Sequence, residues 1–384
     1  MDLTLRRTAP PQQTRGKPWL GLAPVFLLPL LMALGGMAAP AGAQSEMGIQ
    51  MAQAAAPSNT NPTRLRVLGG LADVGQYTRF EEPFWRRRVA ELTGGRVEAE
   101  ILPFDRAGFR GPEMLQLMRL GVVPFGTALL SIVATDEPEF NAADLPAMNP
   151  DIATMRQTLQ LFRPRLAELL RENYNVELLS VYTYPAQVVW CDRAFGDLAD
   201  LAGRRIRASS VGMAEVLTAL GAVPVVTPFS EIVSAMRTGV VECAVTGTLS
   251  GMSIGLHEVT THVSQIALSW GVSVFGANID AWEALPEQDR GVIRAGLADL
   301  ESAIWDAAGR DTIEGLACAA GQAGCQGTQR GRLTLVPATA RDEVRRRTLL
   351  TDTVLPAWVS RCGRDCVEAW NRYMAPTLGL TARE

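Results

Sequence analysis

Between Gly203 and Gly247 the apolar period switches from strand-like to helix-like and back twice, which few folds can accommodate. GRRIRASS (203–210) reads as a short strand running into a helix start. Ser209 or Ser210 can cap a helix whose apolar face is Met213, Val216, Leu217 and Leu220, and Gly221 stops it. AVPVV follows as a second strand. Thr227 is expected to cap the next helix, with Pro228 in its first position. Phe229, Ile232, Val233 and Met236 form that helix's buried stripe, Gly239 ends it, and VVECAVTG is the third strand. Such short β-α-β-α-β units imply a mainly parallel sheet flanked by helices, with the functional loops at the strand ends.

The same alternation extends on both sides. RLRVLGG, RVEAEILPF, NVELLSVY, AQVVWC and RLTLVP read as strands. FEEPFWRRRVAELTGG and GPEMLQLMRLG read as helices. A longer helix, ATMRQTLQLFRPRLAELLREN, aligns Met155, Leu159, Phe162, Leu166 and Leu169 on one face. LPEQDRGVIRAGLADLESAIWDAAG is another, buried through Ile293, Leu297, Leu300 and Ile304, and two helices finish the chain. The 384 residues, 47% of them hydrophobic, suffice for two α/β lobes with the chain crossing between them.

The first residues carry a different pattern. Arg6, Arg7, Arg15 and Lys17 precede the apolar run WLGLAPVFLLPLLMALGGM, and Ala41-Gly42-Ala43 is a small-residue cleavage site. Residues 1–43 are therefore expected to be a secretory signal peptide, with 44–63 a flexible leader. Its removal leaves a net charge of about −7 and no lysine, because Lys17 is the only one. A net-acidic surface without a basic stripe argues against nucleic acid and anionic membranes as partners. All six cysteines, 191, 243, 318, 325, 362 and 366, lie beyond the cleavage site, which suggests disulfides. Cys318/Cys325 and Cys362/Cys366 are natural couples, but cross-pairing between them is equally open. Cys191 and Cys243 are either a pair or buried thiols.

Catalytic and metal motifs are weak. His257-Glu258-Val259-Thr260-Thr261-His262 places its second histidine one residue too late for a zinc-protease helix, about 100° off the ligand direction. GTLSG displaces the serine of a nucleophile elbow by one position. There is no Walker A loop and no G-x-G-x-x-G fingerprint. No carboxylate pair stands out among the 40 acidic residues. Neither a cofactor nor a metal is expected. Arg207, at the end of its strand, is then a structural ion pair, surface decoration or a ligand anchor.

The segment FGDLADLAGRRIRASSVGMAEVLTALGAVPVVTPFSEIVSAMRTGVVECAVTG (195–247) resembles the periplasmic solute-binding subunits of TRAP transporters, the DctP-like family. Weaker similarity runs through LTGGRVEAEILPF, GPEMLQLMRLGVVPFG, NAADLPAM and AWEALPEQDRGVI. It covers the chain from Arg64 onward. The resemblance implies a two-lobed periplasmic-binding-protein-like α/β fold tied by long helices. Lobe 1 would take about 64–185 plus part of 270–340, and lobe 2 about 186–270 plus the C-terminal helices. It further implies a periplasmic protein, not an enzyme, that captures a small organic acid and hands it to an ion-gradient-driven TRAP membrane permease.

The family's ligand-pairing arginine matches Arg207, whose planar guanidinium offers a carboxylate two parallel donors. Phe229 matches a residue that packs on the ligand, and Thr246, near the end of the third strand, a polar contact. Gln187 stands where some members carry a second arginine, which suits a monocarboxylate or amphipathic acid. Trp190 and Trp270 are further candidates for the pocket wall. An extracytoplasmic enzyme acting on an organic acid, or a binding protein for an ABC importer or a sensor, would share the same anion chemistry.

Overall fold

The computed structural model describes residues 61–384; the expected cleavage after Ala43 and the leader up to residue 60 lie outside the described residues. Eleven strands follow in chain order: β1 Thr63–Gly69, β2 Val97–Pro103, β3 Phe125–Leu129, β4 Val176–Thr183, β5 Gln187–Cys191, β6 Arg205–Ala208, β7 Val223–Val226, β8 Cys243–Gly247, β9 His262–Ser264, β10 Val272–Asn278 and β11 Thr334–Val336. They form two sheets, β2-β1-β3-β10-β4 and β11-β9-β5-β8-β6-β7, both flanked by helices. The α/β class and its two mixed, mainly parallel sheets agree with the alternation read from the sequence.

Each sheet contains one reversed strand, and connectivity explains both. β1, β2 and β3 run parallel, as do β8, β6 and β7. The chain leaves the first sheet at the end of β4 and enters the second through residues 184–186. It arrives at the edge where the parallel strands end, so β5 must run antiparallel to β8. The return crossing from β9 obeys the same rule, and β10 runs antiparallel to both β3 and β4. β10 is buried at every position, which removes the alternation that marks a half-exposed strand.

Local chemistry sets most helix ends. Ser210 caps the Val211–Ala219 helix, its hydroxyl accepting from the Met213 amide, and Gly221 leaves it at φ 76°. Thr227 does not cap the next helix. Pro228 takes the N-cap position ahead of the 3₁₀ turn Phe229–Glu231, and the Thr227 carbonyl is used elsewhere, by Arg207. The helix expected over 285–309 runs ten residues further, as Glu287–Ala319.

That 33-residue helix touches both sheets. Against the first sheet the Leu297 carbonyl accepts from the Ser180 hydroxyl at 3.0 Å, and Trp305 Nε1 donates to the Val181 carbonyl at 2.9 Å. In its second half the Asp311 carbonyl accepts from Thr248 Oγ1 at 3.1 Å, and Thr312 Oγ1 accepts from the Ala186 amide at 3.0 Å. Gly315 packs against the start of the Thr248–Ser253 helix, where an added Cβ would lie 2.8 Å from Leu249 Cα. The C-terminal helices bridge as well: Arg361 pairs with Glu215, and Trp358 Nε1 donates to the Pro138 carbonyl at 2.7 Å.

All six cysteines are paired, as 191–243, 318–325 and 362–366. Each neighbouring couple closes on itself. Cys191 and Cys243 sit directly opposite on β5 and β8, with Cα atoms 4.1 Å apart, and stitch the reversed strand to its neighbour.

Candidate functional site

The parallel strands of both sheets end at one cleft of ≈ 400 Å³. Leu71 and Val74 follow β1, Phe104 and Asp105 follow β2, and Ser131 and Ile132 follow β3. From the second sheet come Ser209 and Ser210 after β6, Phe229 after β7 and Ser250 after β8. This is where parallel α/β sheets place ligands, because strand-end loops are free of sheet pairing.

Arg207 enters the cleft from β6 and is 4% exposed. Its Nε donates to the Thr227 carbonyl at 2.9 Å and its Nη1 to the Val245 carbonyl at 2.8 Å. Among the described residues no carboxylate lies within ion-pair distance, and burial lowers its pKa to about 10. The two carbonyls hold the guanidinium plane while the Nη2 donors find no partner among the described residues. A buried cation left without a counter-charge costs folding free energy, a cost that an anion at the open donors would offset. Its neighbours behave differently. Arg204 donates to the Arg193, Ala194 and Asp200 carbonyls, and exposed Arg205 donates to those of Gly239 and Val240.

The other expected site residues divide. Gln187, Phe229 and Thr246 line the cleft with Arg207. Gln187 is already engaged: its Nε2 donates to the carbonyls of Pro185 at 2.9 Å and Trp270 at 3.2 Å, linking the two crossings. Phe229 is half-buried and offers its ring as wall. Trp190 and Trp270 do not reach the cleft. Trp190 is fully buried under β8, its Nε1 directed at the Thr246 carbonyl, and its ring packs on Gly251. Trp270 turns its indole away to the Asn149 carbonyl at 3.0 Å. Both serve the core behind the wall, because each indole N–H finds a main-chain acceptor there.

The first lobe contributes residues that sequence reasoning passed over: Asp105, Asp144 and Tyr184. Asp105 directly follows the strand read as RVEAEILPF, so the rule that sites sit at strand ends pointed there. Asp144 accepts the amides of Trp270 and Gly271, the latter at 2.7 Å, and burial pushes its pKa up to about 7. Outside the cleft lining, fully buried Glu81 accepts from the Gly70 amide at 2.7 Å and from the Thr127 hydroxyl. Burial raises its pKa to about 7 too.

Both acids hold a proton in the folded state at pH values where the unfolded chain has lost it. Their stabilisation is complete below pH 4 and is lost as pH rises through about 7. Glu81→Gln removes the ionisable proton while keeping an acceptor for Gly70, and the Thr127 hydroxyl can rotate to accept from the new amide. The variant is expected to melt higher than wild type at pH 8 and to show a flatter fall in melting temperature between pH 5 and pH 8. An unchanged slope would remove Glu81 from the pH response.

His257 lies in the turn Leu256–Glu258 and His262 begins β9, so they do not share a helical face. Among the described residues no three His, Cys, Asp or Glu side chains cluster as a metal site would require. No helix among them is long and apolar enough to cross a membrane.

Similarity to known proteins agrees with this geometry. The family model described as bacterial extracellular solute-binding protein, family 7 (DctP), matches residues 77–313. The ectoine-binding periplasmic protein TeaA of Halomonas elongata is 27% identical over 138 residues, covering 36% of this chain and 39% of that protein. The C4-dicarboxylate-binding periplasmic protein DctP of Rhodobacter capsulatus is 24% identical over 224 residues, 58% of this chain and 65% of that one. The crystal structure of DctP7, a Bordetella pertussis extracytoplasmic solute receptor binding pyroglutamic acid, superposes with a TM-score of 0.70 at 22% identity. It covers 81% of this chain and 99% of that chain. The chain therefore belongs to the DctP family of bacterial extracellular solute-binding proteins, family 7.

Proposed function

We propose that this protein captures a small organic monocarboxylate in the cleft between its two sheets and delivers it to an ion-gradient-driven TRAP permease in the membrane. Residues 1–43 are the export signal of a periplasmic protein in this reading, and Arg207 is the anchor for the ligand's carboxylate. One observation carries it: a guanidinium 4% exposed, held in plane by two carbonyls, opens onto a ligand-sized cleft with no counter-charge among the described residues. A carboxylate arriving there meets charge-assisted donors already oriented.

The choice of one carboxylate rests on the lining. Arg207 is the single cation among the described lining residues, and Leu71, Val74, Phe104, Ile132 and Phe229 make the remainder largely apolar. The cleft volume of ≈ 400 Å³ suits a ring or a short chain. Family relatives that bind ectoine, C4-dicarboxylates and pyroglutamic acid support a small acid as ligand class. Gln187, Phe229 and Thr246 would complete the contacts around it.

A thermal-shift screen of the mature protein against an organic-acid library tests the reading. An acid at one hundred times its dissociation constant is expected to add about 2.7 kcal/mol of apparent stability. No shift with any acid, or equal shifts with wild type and Arg207→Ala, would refute it.

A further inference from the structure

Asp105 faces the cleft from the lobe opposite Arg207, and its surroundings differ from those of the other acids there. Its Oδ1 accepts from the Ala72 amide at 3.1 Å, and among the described residues no side chain donates to the carboxyl. Arg106, next in sequence, is exposed and bonded to Asp73 at 2.6 Å. Asp144, by contrast, has its oxygens committed to the Trp270 and Gly271 amides, and Glu81 is held by Gly70 and Thr127 outside the cleft lining. Burial holds the Asp105 carboxyl above its usual range despite the nearby Arg106. The cleft thus has a cation on one side and a half-satisfied carboxyl on the other, separated by apolar wall.

We infer that Asp105 is a specificity-determining residue that accepts a hydrogen bond from an N–H or O–H group at the end of the ligand remote from its carboxylate. This rests on Arg207 being the carboxylate anchor. A ligand with a second carboxylate would bring that group towards Asp105 with no further cation in the lining, and one of the two would have to take up a proton. A ligand ending in bare hydrocarbon would strip water from Asp105 and give nothing in exchange. The preferred substrate class is therefore a monocarboxylate bearing a distal ammonium, amide or hydroxyl group.

Two matched series read this out by calorimetric titration of the mature protein: hexanoate, 6-hydroxyhexanoate, 6-aminohexanoate and adipate, and phenylacetate with 4-hydroxyphenylacetate. Within at least one series, wild type is expected to bind the donor-bearing acid about tenfold or more tighter than its unsubstituted partner, with adipate weakest. Asp105→Ala erases that ratio from both sides, tightening hexanoate or phenylacetate, which no longer desolvate a carboxyl, and weakening the donor-bearing acid. Asp105→Asn, which keeps an acceptor for the Ala72 amide, is the folding-safe variant and loses the preference of ammonium over hydroxyl. If acids bind and Arg207→Ala abolishes them all, but Asp105→Ala weakens both members of a pair equally, the inference fails and the anchor stands. Adipate binding as tightly as 6-aminohexanoate overturns it as well. Saturable binding by none of these acids overturns both.

Discussion

Arg207→Ala is expected to weaken the binding of whatever acid the wild-type protein takes up by about 1.5–3 kcal/mol or more, ten- to more than a hundredfold in dissociation constant. The loss is large because the guanidinium is buried, oriented by Thr227 and Val245, and the single cation in the described lining. Without it, the ligand's carboxylate would be desolvated against apolar wall. Arg207→Lys is expected to recover little, since an ammonium cannot hold both carbonyls and still present two parallel donors. Titration calorimetry alongside thermal melting separates the alternatives. A purely structural arginine would cost melting temperature and spare binding, which would end its assignment as anchor.

Gly315→Ala is expected to destabilise the fold by about 3 kcal/mol, the upper end of what overpacking costs. Its new methyl would collide with the Thr248–Leu249 peptide, 2.8 Å from Leu249 Cα, and backbone cannot move aside as a side chain can. Gly309→Ala supplies the control in the same helix. There the nearest atom is Ile152 Cγ2 at 3.8 Å, an ordinary contact, so the better helix former should add up to about 1 kcal/mol. Urea unfolding of both variants reads the opposite signs. Equal effects would mean that the long helix is not pressed onto the Thr248–Ser253 segment.

The pair also shows where a glycine misleads. Gly309 closed the helix expected from the pattern, yet the observed helix passes through it and through Gly315. Gly315 is needed for a contact with a segment more than sixty positions earlier, which no local pattern announces. The alternation from Gly203 to Gly247, by contrast, was legible almost residue by residue, down to the Ser210 cap and the Gly221 stop. β10 was not, because a strand buried at every position shows no period.

The cleft divides in the same way. The Arg207 position at a strand end, the apolar face beside it and the family resemblance are all local, and they marked the second lobe's half of the site. Asp105, Asp144 and Tyr184 became visible only when the first sheet was set against the second, and Trp190 and Trp270 proved to lie behind the wall. Sequence by itself determined most of the elements, the class of fold and the position of the cation at a strand end, since each depends on neighbours within a few residues. Tertiary structure alone decided that β5 and β10 run reversed, and that a half-satisfied carboxyl faces the arginine. Strand direction and cleft polarity follow from where the chain crosses between lobes, and a crossing is set by packing between segments remote in sequence.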